Sequence, residues 1–418
     1  MLEHIAVEPK QLNHYQSIVG DKVLDELRQL AEPLKWASIL HINATAFGDG
    51  VAEILMSLVP LMRDLELDAE WQIIEGSDDF FNAIKSSHNG LQSMEIPLSE
   101  QMKAIWQEYN ALNAKAFEGD YDFIVVHDPQ PAGLLHYHGH SGGKHCIWRC
   151  HIDTSTPNMD FWNFYAPYFS AHDAAIFTME QYVGPGLDFE ELSIIPPTID
   201  SPSTKNSEIP FPEAQKVVAN FGIDLSQPLI TQVSRYDPWK DPLGVIDAYR
   251  IANQFMPATQ LALVGSMATD DPEGLYYLDK TSRHAGEDPD IYILHNYHGV
   301  NAYEVGCFQT VSEVVIQKSA REGFGLLVTE GLWKGKPVIG GNVGGIPLQV
   351  IDGKTGFLVD SVEQCAEKFL YLLINPDVSQ AMGQAGREHV RGKFLITRHC
   401  VITCDFLLTF CRIAFGLI

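Results

Sequence analysis

Short apolar runs alternate along the first half of the chain with longer stretches of helical periodicity. The run Trp36–Asn43 predicts a strand, and a loop follows at 44–50. In 51–62, apolar residues recur at helical spacing, which predicts an amphipathic helix with one buried face. Further strands are predicted at Trp71–Ile74, Phe123–His127, Ile147–Ile152, Ala174–Thr178 and Ser193–Ile195. Apolar strands separated by helical stretches indicate a parallel sheet that is covered on both faces.

A change of composition at Pro196 interrupts this pattern. The sequence PPTIDSPSTKNSEIPFP is rich in Pro, Ser and Thr and has no periodicity, which is typical of a hinge or linker. Beyond it the alternation restarts, with strands predicted at Leu229–Ser234, Leu261–Val264, Ile291–Leu294, Val314–Gln317 and Pro337–Ile339. We therefore predict an α/β protein with two Rossmann-like, doubly wound domains, residues 1–200 and 201–395, that face each other across a cleft.

Length and charge narrow the classes of protein that fit. The 418 residues are too many for one ordinary core, and the formal charge of −26 argues against nucleic-acid binding, which needs a basic face. The N-terminus has no basic segment followed by an apolar run, so we expect a cytoplasmic protein. The apolar tail 400–418 carries Asp405 and Arg412 and falls short of a membrane span, which favours a terminal helix; a homodimer through this tail is conceivable.

The most informative segment runs from Ser319 to Ile339. It places Glu322 and Glu330 around a short glycine loop that opens a predicted helix near Gly325. A glycine-rich turn at a helix N-terminus offers free N–H groups and the positive end of the helix dipole to a phosphate. The two carboxylates can accept hydrogen bonds from sugar or ribose hydroxyls. This combination indicates an enzyme that acts on nucleotide sugars.

Other candidate groups also follow predicted strands. Arg235 and Lys240 come after the strand LITQVS and are candidates for a diphosphate clamp, the alternative being a solvated loop paired with neighbouring Asp residues. Gly48-Asp-Gly50 is a weaker phosphate-binding candidate because Asp has the wrong charge. The pairs that begin at His127 (with Asp128) and His151 are placed to bind sugar hydroxyls, although a histidine at a strand end is more often structural.

Several motifs in the same order resemble a known family. The segments EGFGLLVTE, SRYDPWKD and GGNVGGIPLQVIDGKTGFLV are similar to family 4 retaining glycosyltransferases of the GT-B fold. Within that family, HINATAFGDGVAEILMSLVPLMRDLELDAEWQIIEG, WRCHIDTSTPN and NYHGVNAYEVGCFQTVSEVVIQKSAREGFG are most similar to trehalose synthases of the glycosyltransferring type. The resemblance covers roughly residues 36 to 398.

The resemblance implies a role for each candidate residue. In the second domain, which would bind the nucleotide sugar, Glu330 would contact the donor ribose and Glu322, with Gly323, the transferred glucose. Arg235 and Lys240 would hold the diphosphate. Phe324, Gly325 and Leu326 would line the sugar–phosphate turn, and Gly48 and Gly50 would close over the diphosphate. From the first, acceptor-binding domain, His151 would lie near the C6 hydroxyl of the donor sugar and Asp128 would face the acceptor or donor sugar.

The expected reaction is retaining, reversible glucosyl transfer from a nucleoside diphosphate glucose to glucose, giving trehalose, with Arg235, Lys240, Glu322 and His151 as the catalytic set. The resemblance implies no bound metal or other cofactor, and sugars and nucleotide sugars as the partners. In such enzymes the last helix crosses back to the first domain, which is expected here of residues 396–418.

Two departures from the family keep alternatives open. The loop at Gly48 lacks consecutive glycines, and the tail after Arg398 does not look like the amphipathic final helix of the family. One alternative is a retaining trehalose phosphorylase that uses glucose 1-phosphate. Another is a catalytically weak protein that binds sugar nucleotides. The nucleotide base and the acceptor, glucose or a phosphorylated sugar, stay open.

Overall fold

The structure is a computed structural model, and it describes residues 2–47, 50–139, 143–265 and 272–414. Contacts divide the chain into two compact units. Unit 1 consists of Met1–Thr198 together with Ile396–Ile418, and unit 2 consists of Ile199–Leu395. Each unit contains one sheet surrounded by helices. The predicted fold class, two α/β domains built on parallel sheets, is confirmed.

The strands are β1 (Glu3–His4), β2 (Ser38–Asn43), β3 (Asp68–Ile73), β4 (Tyr121–His127), β5 (Gly143–Cys150), β6 (Ala174–Phe177), β7 (Glu191–Ile194), β8 (Leu229–Val233), β9 (Gln260–Val264), β10 (Ile291–Leu294), β11 (Val314–Gln317), β12 (Val338–Gly341) and β13 (Gly356–Val359). The strand predicted from Trp36 begins only at Ser38, because Trp36 has a φ of 65° and interrupts the extended backbone.

The α-helices of the described residues are α1 (Gln16–Val19), α2 (Asp21–Ala31), α3 (Gly50–Asp64), α4 (Asp78–Leu91), α5 (Glu100–Ala116), α6 (Leu134–His138), α7 (Met159–Phe169), α8 (Phe211–Ala219), α9 (Pro242–Asn253), α10 (Pro272–Ala285), α11 (Ala302–Val311), α12 (Leu326–Trp333), α13 (Ile346–Gln349), α14 (Val362–Ile374), α15 (Pro376–Lys393) and α16 (Ile396–Ala414).

Unit 1 has a seven-stranded sheet in the order β1-β3-β2-β4-β5-β6-β7. All neighbouring strands are parallel except β1, which pairs antiparallel with β3. Helix α3 buries the apolar face that its periodicity predicts, including Leu55 and Val59. Helix α16 packs against α2 and α3 and adds Val401 and Leu407 to the same core. Among the described residues, no helix has the length and apolar character that crossing a membrane requires.

Unit 2 has a six-stranded, wholly parallel sheet in the order β10-β9-β8-β11-β12-β13. Strands β8, β11 and β12 are neighbours, so the loops that follow them lie side by side at the carboxyl edge of the sheet. Ligands of parallel α/β sheets bind at this edge.

From Ile199 onward, the segment predicted as a linker is a packed part of unit 2. Asp200, Ser201 and Asn206 are buried, and the N–H of Ile199 donates to the carbonyl of Phe394 at 2.9 Å. The composition indicated a linker because turns and linkers use the same Pro, Ser and Thr residues. Here these residues form hydrogen-bonded turns, for example from the Asn206 N–H to the Ser203 carbonyl.

Candidate active site

In unit 2 a largely buried ion pair joins the loop after β8 to the loop between β11 and α12. The ammonium nitrogen of Lys240 lies 2.5 Å from Oε2 of Glu322. The hydroxyl of Ser319 donates to the same oxygen at 3.1 Å. The side chains of Lys240 and Glu322 are only 15% and 9% exposed, so water screens their attraction little. Two of the residues predicted from the sequence therefore meet directly.

The loop after β8 holds Lys240 in this position. Residues Pro238–Lys240 form a 3-10 helix whose first turn is capped by Asp237, which accepts from the Lys240 N–H at 3.1 Å. Gln232, on β8, donates its side-chain amide to the Lys240 carbonyl at 2.7 Å. The Ala320 N–H donates to the Trp239 carbonyl at 2.7 Å, which ties this loop to the loop after β11. Lys240 is thus preorganised by backbone and side-chain contacts.

Arg235 differs from Lys240 in its environment. Its side chain is 67% exposed, and its guanidinium lies 3.8 Å from the carboxylate of Asp237. An exposed pair at this distance contributes little to stability. Arg235 therefore lies in a solvated loop beside an Asp residue, which is the alternative to a diphosphate clamp that the sequence left open. The same exposure leaves its guanidinium accessible to an anion.

The turn before α12 places a glycine in the left-handed conformation at the start of the helix. Gly325 is the N-cap residue of α12 and has a φ of +82°, a conformation that side chains disfavour. A Cβ atom there would lie 3.1 Å from Cγ of Glu322. Phe324 is buried against Phe394, and Leu326 is the first residue of the helix. The helix N-terminus therefore adjoins the ion pair.

The glycine loop after β12 supports this turn. The N–H of Gly345 donates to the Gly323 carbonyl at 3.1 Å, and the Gln349 side-chain amide donates to the Phe324 carbonyl. A Cβ atom at Gly341 would lie 2.2 Å from the Ser319 carbonyl oxygen. Small residues are required here because the two loops touch backbone to backbone.

Glu330 lies inside α12 and is completely buried. Its Oε1 is 2.7 Å from the ammonium nitrogen of Lys205, whose side chain is 16% exposed. The side-chain amide of Gln309 donates to Oε2 at 3.4 Å. A buried carboxylate needs a counter-charge, and Lys205 supplies it. Sequence reasoning missed Lys205, although it is the only cation in the PPTIDSPSTKNSEIPFP segment.

In unit 1, Asp128 and His151 lie together at the carboxyl ends of β4 and β5. Oδ1 of Asp128 accepts from the His151 backbone N–H at 2.8 Å, and the Asp128 N–H donates to the Arg149 carbonyl at 2.8 Å. Asp128 has a φ of 63°, which is unusual for a residue with a side chain. A strained backbone held by several hydrogen bonds is typical of functional positions.

A line of three imidazoles runs inward from His151. Its Nε2 lies 2.9 Å from Nδ1 of His127, and Nε2 of His127 lies 3.0 Å from Nδ1 of His41. Burial lowers the pKa of His41 to about 4, and burial, followed by nearby positive charge, lowers the pKa of His127 and His151 well below the usual value. The rings are therefore neutral near pH 7. Sequence reasoning missed His41, which stands inside the apolar strand SILHIN.

The predicted phosphate-binding loop Gly48–Gly50 is described only in part. Gly48, with Asp49, lies outside the described residues. Gly50 is the first residue of α3 and is exposed. Over the ranges that the structure describes, no three His, Cys, Asp or Glu side chains are grouped in a way that could hold a metal ion.

The two units match two family descriptions. Residues 41–184 match "Trehalose synthase, N-terminal domain", and residues 214–389 match "Glycosyl transferases group 1". The trehalose synthase of Thermococcus litoralis is 49% identical over 405 residues, covering 96% of this chain and 98% of the relative. The chain belongs to the trehalose synthase family of glycosyltransferases. The trehalose synthase of Rubrobacter xylanophilus is 47% identical over 402 residues, covering 95% and 96% of the two chains.

More distant similarity extends to other enzymes. A trehalose phosphorylase from Grifola frondosa is 25% identical over 429 residues, which cover 91% of this chain and 58% of the relative. Among solved structures, an α,α-trehalose 6-phosphate synthase from Burkholderia multivorans matches with a TM-score of 0.69 at 14% identity, covering 90% of this chain and 99% of that one. A sucrose-phosphate synthase from Thermosynechococcus elongatus gives 0.67 at 15%, with 91% and 99% covered. These structures share the GT-B fold with the present member of the trehalose synthase family.

Proposed function

We propose that this enzyme transfers α-glucose reversibly, and with retention of configuration, from a nucleoside diphosphate glucose to glucose, giving trehalose. The observation that carries the proposal is the buried Lys240–Glu322 pair beside the N-terminus of α12. A cation and a helix start suit a phosphate, and a carboxylate suits sugar hydroxyls. Relatives named trehalose synthase, close to half identical over nearly the whole chain, support the sugar.

In the proposed reaction, the bond from C1 of the donor glucose to the phosphate oxygen breaks as C1 bonds to the acceptor oxygen. The proton of the acceptor hydroxyl passes to the departing phosphate oxygen on the same face of the sugar. No carboxylate nucleophile is required. Arg235 and Lys240 stabilise the negative charge that develops on the phosphate, and Glu322 keeps the Lys240 ammonium in place. An ammonium has three N–H donors, so one contact with Glu322 leaves donors for phosphate oxygens.

The cations and the α12 dipole would balance the charge of the diphosphate, so the proposal includes no bound metal. In this proposal Glu330 binds the ribose. Because its carboxylate is completely buried, beside Lys205 and Gln309, a ribose hydroxyl can reach it only after neighbouring side chains move. We therefore expect Glu330→Gln to raise the KM for the donor more than it lowers kcat. His151 and Asp128 of unit 1 contact sugar hydroxyls in the proposed reaction.

The reverse reaction tests the proposal. Purified enzyme is incubated with trehalose and ADP, UDP or GDP, and the products are separated by chromatography. The proposal expects free glucose together with one nucleoside diphosphate glucose, whose identity gives the base. The anomeric proton coupling of that product should show the α configuration. A β-linked product would contradict retention.

A parallel incubation replaces the nucleotide by inorganic phosphate. The proposal expects no glucose 1-phosphate. Its formation, with no reaction of any nucleoside diphosphate, would instead identify a phosphorylase, the activity named for the Grifola frondosa relative. If neither nucleotide nor phosphate gives products, while a nucleoside diphosphate glucose binds in calorimetry, the catalytic proposal is wrong and the protein is a sugar-nucleotide-binding protein.

A further inference from the structure

Three histidines on neighbouring strands of unit 1 form a continuous chain of contacts. His41 is on β2, His127 is the last residue of β4, and His151 directly follows β5. Strand β4 lies between β2 and β5 in the parallel sheet, so the three side chains come from adjacent strands. The ring nitrogens are 3.0 Å apart between His41 and His127, and 2.9 Å apart between His127 and His151. Both distances are those of hydrogen bonds.

Neutral imidazoles allow only two arrangements of protons in this chain, because each ring has one N–H donor and one bare acceptor nitrogen. In the first arrangement Nδ1–H of His41 donates to His127, and Nδ1–H of His127 donates to Nε2 of His151. The proton of His151 is then on Nδ1. In the second arrangement every donor is reversed, and the proton of His151 is on Nε2.

The buried end of the chain favours the first arrangement. His41 is 2% exposed, and its Nε2 is buried without a hydrogen-bond partner among the described residues. The first arrangement leaves a bare nitrogen at this place, whereas the second leaves an N–H. Buried N–H groups without an acceptor are rarer in proteins than acceptors without a donor. Because Nε2 of His41 has no partner, we infer that both hydrogen bonds are donated in the direction from His41 to His151.

The charges around the chain keep the rings neutral, as this argument requires. Burial disfavours an imidazolium at His127 and His151, and Arg149 on β5 adds positive charge beside the rings that disfavours it further. The carboxylate of Asp128, which follows β4, accepts from the backbone N–H of His151. Its negative charge favours the protonated, charged form of Arg149.

We propose that His41 and His127 are positioning residues that fix the tautomer of His151, so that His151 offers its Nδ1–H as a donor to a hydroxyl oxygen of the bound sugar. The sugar as ligand rests on the function proposed above. The tautomer itself is a property of unit 1 and can be tested without any substrate.

The decisive measurement is a long-range proton–nitrogen correlation spectrum of the full chain labelled with [15N]histidine, which separates protonated from bare ring nitrogens. The signals of His151 are assigned by their loss in a His151→Asn variant. We expect a protonated Nδ1 and a bare Nε2. A proton on Nε2, or an imidazolium, in the wild-type protein near neutral pH would overturn the proposal.

Two variants test the part played by His41. His41→Leu removes the donor that starts the chain, so the His151 signals should become a mixture of both tautomers. In His41→Asn an amide N–H can take the place of Nδ1–H, so the single tautomer should persist. A single, unchanged tautomer in His41→Leu would overturn the proposal. If His41→Leu does not fold, the wild-type spectrum still decides the direction of the chain.

Kinetics separate this proposal from the proposed reaction. If the enzyme makes trehalose, His41→Leu should reduce kcat/KM about tenfold, as loss of an outer partner does for metal-binding histidines, and His41→Asn should restore most of it. Equal activity of His41→Leu and the wild type would contradict a positioning role. If no variant and no wild-type sample has activity, the proposed function fails, and the spectra still test the tautomer.

Discussion

The ammonium nitrogen of Lys205 lies 2.7 Å from Oε1 of Glu330, a carboxylate with no exposed surface. Loss of one partner from a buried ion pair leaves an uncompensated charge and typically costs about 3–5 kcal/mol. We therefore expect Lys205→Met to reduce the stability of unit 2 by about 3 kcal/mol. Thermal unfolding followed by calorimetry measures the effect.

Lys216→Met is the matched control for this prediction, because Lys216 is exposed on α8. It should leave the unfolding temperature nearly unchanged. The double variant Lys205→Met with Glu330→Gln should recover part of the loss, since it buries no net charge. Equal stabilities of the two single Lys variants would show that the ion pair contributes nothing.

Two glycines at opposite ends of α12 allow backbone strain to be separated from function. Gly325 has a φ of +82° and Gly335 a φ of +73°. Alanine at either position should cost about 1–2 kcal/mol of stability, because side chains disfavour this conformation. Only at Gly325 would the new Cβ contact Glu322, since nothing lies within 4 Å of a Cβ at Gly335. We expect both variants to be destabilised, but only Gly325→Ala to lose activity. A similar loss of kcat/KM in both would contradict a site at the start of α12.

The exposed guanidinium of Arg235 should matter for rate and little for stability. Its contact with Asp237 is long and solvated, so Arg235→Ala should leave the unfolding temperature nearly unchanged. If Arg235 stabilises charge that develops on the departing phosphate, kcat should fall by about 10²–10³. Arg283→Ala, on the exposed face of α10, is the control with an equal loss of formal charge. Steady-state kinetics of both variants test the assignment, and an unchanged kcat in Arg235→Ala would exclude it.

Burial of His399 should make the stability of unit 1 depend on pH. Burial, followed by the charge of Arg149, lowers the pKa of His399 to about 3, while its unfolded value is near 6.5. The unfolded chain then binds more protons between these values, so this stabilisation is present above pH 6.5 and is lost as the pH falls toward 3. The unfolding temperature of the wild type should decrease more steeply between pH 6.5 and 5 than that of His399→Asn. Parallel curves would contradict this expectation.

Sequence patterns predicted the elements well where local periodicity and burial agree. The helix at 51–62 and the strands β2 to β12 follow from apolar spacing, because each sheet is covered by helices, whereas the strands β1 and β13 were not predicted. The meeting of Lys240 with Glu322 could also be anticipated, since both follow strands of one parallel sheet and the carboxyl ends of neighbouring strands lie together.

Other features depend on contacts that no local pattern encodes. Lys205 stands in a Pro- and Ser-rich segment, and only the packing of that segment against α12 shows its carboxylate partner. His41 reads as one polar residue in an apolar strand, and its chain of contacts requires the order of β2, β4 and β5. Arg235 and Lys240 differ in exposure because Lys240 is the last residue of a 3-10 turn that brings it to Glu322, whereas Arg235 precedes that turn.

The return of α16 to unit 1 has a consequence for the order in which the chain is completed on the ribosome. Unit 2 is a continuous segment, whereas the core of unit 1 includes Val401 and Leu407. The usual expectation is that the N-terminal domain folds first during synthesis. Here unit 2 can complete its core before the last helix of unit 1 has been synthesised. A nascent chain halted before residue 396 would therefore contain the later-encoded domain complete and the earlier-encoded one unfinished.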